Sequence, residues 1–284
     1  MMSRPARRPG GPGRRTRPIR RSSAGLTPAR AGALLAMLLS AGAIYGLAST
    51  SAFAYSKLEI DGTAITPARV VREMLALPEG QNLFEIASEP LEARLREIPA
   101  VADAEISIGL PDTVAVRIEE REALLVWRVG DRRWFVDGTG VMFARVPVNP
   151  PPAAEELPLV SDDRAASRQL RVGATIDPVD LDVATRLASL TPADVGSSAA
   201  GLAVGVTDEN GFVLSSSPKS WVAVFGFYGQ SLRTPDLVAG QVQLLAALLA
   251  EAGEPSVALV ILADDRDGTY IPKASPSPAP SAAP

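Results

Sequence analysis

The stretch VADAEISIGLPDTVAVRIEERE, Val101 to Glu122, decides how this chain is read. Ala102, Ala104, Ile106 and Ile108 alternate with Asp103, Glu105 and Ser107, which predicts a strand with one dry and one wet face. Leu110-Pro111-Asp112-Thr113 is a turn signal. Beyond it Val114, Val116 and Ile118 face inward while Arg117 and Glu119 face out, so the two runs form an antiparallel hairpin. Upstream, KLEIDG alternates in the same way, with Leu58 and Ile60 on one face. TPARVVREML then predicts a helix with Thr66 as N-cap and Pro67 at its first position. SEPLEARLREIP predicts a second helix, capped by Ser88, ended by Pro99, and carrying the stripe Leu91, Leu95, Ile98. Strand, helix, helix, strand, strand makes a three-stranded sheet with both helices on its dry face. A sheet this small has open edges, and open edges accept strands from other chains.

Further upstream, Ala31 to Ala54 is an uncharged run, at 1.5 Å per residue roughly 36 Å long if helical and enough to cross a bilayer core of about 30 Å. Leu34, Leu35, Leu38, Leu39, Ile44 and Leu47 carry its apolar drive. Residues 1–30 hold nine Arg and no acidic residue, so a net charge of −4 leaves the remainder at −13. A basic head before an apolar run stays in the cytoplasm and sends the rest outside. Ala52-Phe53-Ala54 also fits a signal-peptidase site, although the run exceeds the usual 7–15-residue apolar core of a signal peptide. Both readings export the body. The Arg/Pro/Gly-rich head and the Pro/Ser/Ala tail are too poor in apolar residues to fold, and no aromatic residue interleaves the arginines as nucleic-acid binding would favour.

The chemistry available is narrow. With no His and no Cys the chain lacks the commonest general base, the commonest metal ligand and any disulfide. Ser216-x-x-Lys219 has the spacing of a penicillin-recognising nucleophile, but Pro218 interrupts it and no Lys-Thr-Gly follows. Asp264, Asp265 and Asp267 lack the alternation and closing Glu of a calcium loop and read as a solvated turn. GTGVMF lacks the third glycine of a dinucleotide loop. Glu119 and Glu120 point to opposite faces, so they cannot form a glycosidase pair; both read as a solvated edge. No catalytic residue, cofactor or metal site is expected.

The second half predicts a β-rich domain. LLVWRVGDRRWFVDGTGVMF reads as three strands, with Asp137-Gly138 as a hairpin signal. NPPPAAEELPLV reads as a surface loop, and Asp177-Pro178 opens a helix carrying Leu181, Ala184, Leu187 and Ala188. GLAVGV, GFVLSS and SWVAVFGFYG follow as strands, TPDLVAGQVQLLAALLAEAG as a long helix stopped by Gly253, and SVALVIL as the closing strand. Val257–Leu262 is apolar throughout, so it is either buried on both faces or covered by a partner.

Gly62, Asn82-Leu83-Phe84, Leu95, Pro99-Ala100-Val101, Ala104, Leu110-Pro111-Asp112-Thr113, Glu120-Arg121-Glu122 and Trp127, in this order behind a basic head and an apolar run, resemble the POTRA domain of the FtsQ/DivIB bacterial cell-division proteins. VDGTGVMF resembles the element that opens the family's second, β-rich domain. The chain departs from the family at Gln241, where a Lys is frequent, and at Ala263-Asp264-Asp265-Arg266. The resemblance implies an α+β chain: a disordered segment 1–30, a transmembrane helix 31–54, a POTRA domain 57–122 of order β-α-α-β-β, a mixed β-rich domain 123–271 and a disordered tail 272–284. It also implies a non-enzymatic, membrane-anchored scaffold at the division septum, with FtsB-like and FtsL-like single-pass partners. The family receives an added strand at its C-terminal strand region, which places the partner contact at Val257, Leu259, Val260, Ile261, Leu262, Arg266, Tyr270 and Ile271. A secretion component carrying a POTRA domain and a peptidoglycan-processing enzyme are the alternatives.

Overall fold

The structure is a computed structural model, and it describes residues 27–48, 51–231 and 233–274. The expectations for the Arg-rich head up to residue 26 and for the tail from residue 275 lie outside the described residues.

Helix α1, Pro28–Ala48, stands as a unit by itself. It is long and apolar enough over Pro28–Gly46 to cross a membrane. It begins before the uncharged run because Pro28 suits a first helical turn, and the Thr27 carbonyl accepts the Ala31 N–H at 2.9 Å. Ser51–Phe53 is a separate 3₁₀ turn. Of the apolar side chains that define the run, Leu34, Leu35, Leu38, Leu39 and Ile44 are exposed; that of Leu47 lies outside the description.

The second unit starts with strand β1, Lys57–Asp61, then helices α2, Ala68–Leu75, and α3, Ser88–Leu95, then strands β2, Val101–Gly109, and β3, Thr113–Glu120. The sheet order is β1-β3-β2, with β1 parallel and β2 antiparallel to the central β3. Val71, Leu75, Leu83, Leu95, Val101, Ala104, Ile106, Val114, Val116 and Ile118 form its core. This is the expected β-α-α-β-β order. Gly62 turns the chain out of β1 at φ 84°, and a methyl group there would lie 2.0 Å from the Ile118 carbonyl oxygen, so only glycine fits.

Four local expectations are corrected. Thr66 does not cap α2: the N-cap position is Pro67, without a side-chain bond. Instead Glu120, read as a solvated edge residue, reaches from β3 to accept the N–H groups of Ala64, Ile65 and Thr66 at 2.9, 2.8 and 2.5 Å. Burial would raise the Glu120 pKa, but these backbone donors outweigh it and hold it below the usual range. Ser88 is the first residue of α3 rather than its cap, and α3 ends at Leu95, ahead of Pro99. In β2 a bulge at Ala102 shifts the dry face, so Val101 is buried and Ala102 exposed.

The chain continues through β4, Leu125–Val129, β5, Arg132–Val136, β6, Met142–Arg145, the short helix α4, Pro152–Glu155, and β7, Leu159–Asp162. Then come α5, Pro178–Ala188, β8, Gly201–Thr207, β9, Gly211–Ser217, β10, Val222–Gly226, α6, Leu237–Ala252, β11, Val257–Leu262, and β12, Gly268–Pro272. Among the described residues these strands form one sheet, β12-β11-β10-β9-β8-β7-β4-β5-β6. Asp177 caps α5 by accepting the Val179 N–H, and Gly253 ends α6 at φ 75°, both as the sequence predicts. The apolar sides of α5 and α6 share one core with Trp127, Trp134, Trp221, Phe212 and Phe225. A smaller cluster of Ala100, Val126, Phe135 and Phe143 lies apart from it, under Ala154 and Leu157 near the short α4, where the sequence suggested only loop.

Arg121 joins the two sheets. Its N–H donates to the Ala100 carbonyl at 2.9 Å, its Nε to the Pro99 carbonyl at 3.0 Å, and its Nη1 to Asp137. Asp137 in turn accepts the N–H groups of Thr139 and Val141, closing a five-residue connection between β5 and β6 in place of the two-residue hairpin expected.

Candidate functional site: the open sheet edges

Two sheets have four edge strands, and an edge is a site only where its outward N–H and C=O groups are unused. On β2 those at Ala104 and the Ile106 N–H are taken. Ile106 N–H donates to Glu92 at 2.9 Å, the Ala104 carbonyl accepts Arg96 at 3.1 Å, and Ala104 N–H bonds the Asp103 carboxylate at 2.8 Å. Glu92 of α3, Arg96 at its C-cap and Asp103 of β2 itself thus close the middle of this edge. On β6 the segment Gly173–Ile176 covers the start of the strand: Met142 N–H donates to Ala174, Gly173 N–H to Met142 and Ile176 N–H to Gly140, at 2.8, 2.8 and 2.9 Å. β1 and β12 remain open among the described residues. β1 presents Lys57, Glu59 and Asp61 on its wet face, a pattern that discourages pairing. β12 reads Gly-Thr-Tyr-Ile-Pro, and every one of its residues is exposed.

The direction of each backbone group on β12 follows from its ends. The Asp267 carbonyl accepts Ala263 N–H at 2.8 Å, and Lys273 N–H donates to Ser256 at 2.7 Å, so both face β11. Groups alternate along a strand, and the one irregularity in this pair lies on the β11 side. Thr269 and Ile271 therefore face inward with them. The N–H groups of Gly268 and Tyr270 and the carbonyls of Gly268, Tyr270 and Pro272 face outward, ready for an antiparallel or parallel strand.

Side chains sort by the same register. Val260 pairs with Tyr270 and Leu262 with Gly268, on the face covered by α6; Leu259 pairs with Ile271 and Ile261 with Thr269, on the other face. The edge thus offers Tyr270, 37 % exposed, on one side and an apolar strip of Ile261 and Ile271, 48 % exposed at Ile271, on the other.

Of the eight residues expected at the contact, Val257, Val260 and Leu262 are core side chains and cannot meet a partner. Leu259 and Ile261 face away from α6, Arg266 sits in the exposed turn, and only Tyr270 and Ile271 lie on the edge strand itself. β11 is an interior strand, between β10 and β12. Thr269 and Gly268 were missed because GTYIP is short and abuts a Pro-rich tail; the turn DDRDG before three β-forming residues was the available signal.

Three supports hold this edge. Gln241, fully buried on α6, accepts the Tyr228 hydroxyl at 2.5 Å and donates to the Phe225 and Leu262 carbonyls at 3.3 and 3.4 Å. Arg233 donates to the same two carbonyls and lies 5.5 Å over the Tyr228 ring. Burial pushes the Tyr228 hydroxyl up to about 12, so it stays a donor. At the far end Lys273 Nζ donates to Ser220 and to the Pro255 carbonyl, each at 2.8 Å. Gly240 lets α6 approach the β11–β12 turn, since a methyl there would lie 2.5 Å from Asp265 Cβ.

Glu254, just before β11, accepts Trp221 Nε1 at 2.8 Å, Ser198 N–H at 2.8 Å and the Ser197 and Ser198 hydroxyls. Burial opposes its charge, but these donors win and bring its pKa from 4.5 down to about 2. A lowered carboxylate adds stability above its unfolded pKa and loses it as pH falls. Unfolding free energy should therefore be flat above about pH 5 and decline toward pH 2, and Glu254→Gln should shallow that decline in denaturant titrations across the range. An unchanged slope would refute the role.

Ser216 is buried, donates to the Pro218 carbonyl and accepts N–H groups of Ser220 and Trp221, so its hydroxyl closes a turn. Asp264 accepts the N–H groups of Arg266 and Asp267. Among the described residues no three acidic or metal-ligating side chains converge.

Residues 53–121 match the family model described as POTRA domain, FtsQ-type. The proteins named cell division protein FtsQ are similar as well: that of Streptomyces venezuelae is 30% identical over 136 residues, 48% of this chain and 49% of its own. The chain carries an FtsQ-type POTRA domain and is similar to FtsQ proteins over about half its length. The FtsQ of Streptomyces bingchenggensis is 33% identical over 141 residues, 49% of this chain and 51% of its own. That of Chloroflexus aurantiacus is 28% identical over 174 residues, 61% of each. The chain therefore spans about half the length of the Streptomyces relatives it matches. The Ala104–Ile106 closure on β2 and the Glu120 clasp lie within the matched POTRA segment, and the open β12 edge lies outside it.

Proposed function

We propose that this chain is an FtsQ-type, non-enzymatic scaffold of the division machinery that binds through the outward backbone of β12. The carrying observation is that β12, an edge strand exposed at every residue, combines outward donors and acceptors along its length with β-forming, apolar side chains. Residues 1–30 stay in the cytoplasm, α1 anchors the chain, and the POTRA domain 57–122 and β-rich domain 123–271 stand outside at the septum. FtsB-like and FtsL-like single-pass proteins are the partners, and through them the chain regulates septal wall synthesis. Main-chain bonds to Gly268 and Tyr270 give affinity, and Tyr270, Ile261 and Ile271 give selectivity. Anchors in one membrane raise the effective concentration of such partners.

Site-specific photocrosslinking along Val257–Ile271 in living cells tests this. Thr269, Tyr270 and Ile271 should label a small single-pass membrane partner, and Val257 and Val260 should not. Crosslinks confined to the chain itself, or equal labelling from the buried positions, would overturn it.

A further inference from the structure

One end of the POTRA domain carries apolar side chains that its own core does not use. Asn82 accepts the Phe84 N–H at 3.0 Å and sets a 3₁₀ turn, which sends Leu83 into the core and leaves Phe84 58 % exposed. The Phe84 ring meets Phe53 edge-on with centroids 5.2 Å apart. Leu110, in the β2–β3 turn, is 60 % exposed. That turn belongs to the same end of the sheet, because the Asp112 carbonyl accepts the N–H groups of Ser56 and Lys57 at 3.0 and 3.1 Å, where β1 begins.

This is also the end at which the chain arrives from α1. Phe53 follows Ala48, the last helical residue, by five positions. Five extended residues reach at most about 17 Å. In a membrane crossed by Pro28–Gly46, the outer headgroup layer is within that reach. Aromatic and large aliphatic side chains favour this layer, where an apolar body and a polar backbone are both satisfied. The charges alongside do not select anionic lipid: Lys57 pairs with Asp112 at 3.7 Å, and Glu85 adjoins Phe84.

We propose that Phe53, Phe84 and Leu110 form a foot that seats this end of the POTRA domain in the interfacial layer of the bilayer, through apolar contact with lipid of either charge. The inference rests on the anchoring role of α1. The foot restrains how far the domain tilts away from the membrane and so holds the β-rich domain beyond it at a set height.

The chain has no Cys, so single cysteines can be labelled cleanly. The full chain with Lys57→Cys carries an environment-sensitive fluorophore next to the foot and leaves Phe84 and Leu110 in place; Val148→Cys, in an exposed loop of the β-rich domain, is the aqueous control. Each is reconstituted into phosphatidylcholine vesicles containing headgroup-level nitroxide lipid. Quenching at position 57 should exceed that at 148 several-fold, should persist when a third of the lipid is phosphatidylglycerol, and should fall to the control level in Phe84→Ser/Leu110→Ser. Equal quenching at 57 and 148, or quenching at 57 unaffected by the double change, in a chain that resists alkaline carbonate extraction would overturn the foot alone. Release of the chain by carbonate would overturn the anchor and the foot together.

Discussion

Tyr270→Pro should weaken partner capture about a hundredfold while leaving the fold in place. The Tyr270 N–H faces outward, so proline removes no bond of the β11–β12 ladder, and edge strands tolerate proline at such positions. What it removes is a donor at the centre of the open edge, and its ring blocks the approaching carbonyl. Losing one main-chain bond, about 1 kcal/mol, plus that obstruction corresponds to a fall in affinity of about a hundredfold. Tyr270→Ala separates the two contributions, since it keeps the donor and deletes only the ring; its loss should be smaller. Thr269→Pro makes the contrast, because its N–H faces β11, and there proline should detach β12 and lower thermal stability. Affinity measured against an FtsB-like partner with the chain in nanodiscs, alongside its thermal midpoint, checks all three. A Tyr270→Pro chain that binds as the parent does would mean that the outward edge is not the contact.

The largest effect on stability should come from Asp162. Its carboxylate is fully buried at the end of β7 and accepts Trp127 Nε1 at 3.1 Å, the Ser167 hydroxyl at 2.6 Å and the Arg164 guanidinium at 3.0 and 2.8 Å. Arg164 continues to Asp180 on α5 at 2.6 Å, so one acid ties the middle of the sheet to a helix over it. Burial would raise the Asp162 pKa, and its donors more than offset this, holding it below the ordinary range. Asp162→Ala leaves the Trp127 and Ser167 donors without their acceptor and the Arg164 guanidinium with Asp180 alone, a change that costs about 3–5 kcal/mol. In a domain of this size the thermal midpoint should fall by about 10 °C or more. Asp162→Asn keeps the shape and should lose less. A cost below about 1 kcal/mol for alanine would show that the network adds nothing to the fold.

The POTRA domain was legible because its signals are local. Alternation in Val101–Glu120 wrote its own hairpin, and the glycine after β1 marked a backbone conformation that other residues cannot adopt. Glu120 shows where such reading stops. Nothing near it in sequence indicates that its partners are the N–H groups of Ala64–Thr66, more than fifty residues earlier. The same holds for Glu92 and Arg96, which read as ordinary helix surface and instead close the β2 edge from outside. At the candidate site, the apolar run Val257–Leu262 signalled a strand buried on both faces or covered by a partner, but only one face is buried: Val257, Val260 and Leu262 are core, and Ile261 is 39 % exposed. The cover is α6 on one face and β12 along one edge, and β12 itself is too short and too close to prolines to stand out. The proposed contact surface therefore lies one strand outward from the apolar run.

Amide hydrogen exchange on the full chain, with and without an FtsB-like partner, tests the role of β12 most directly. Protection should rise at Gly268 and Tyr270, whose N–H groups face outward, and stay unchanged at Thr269 and Ile271, already bonded to β11. A bound partner that leaves Gly268 and Tyr270 exchanging as fast as before would contradict strand addition at this edge.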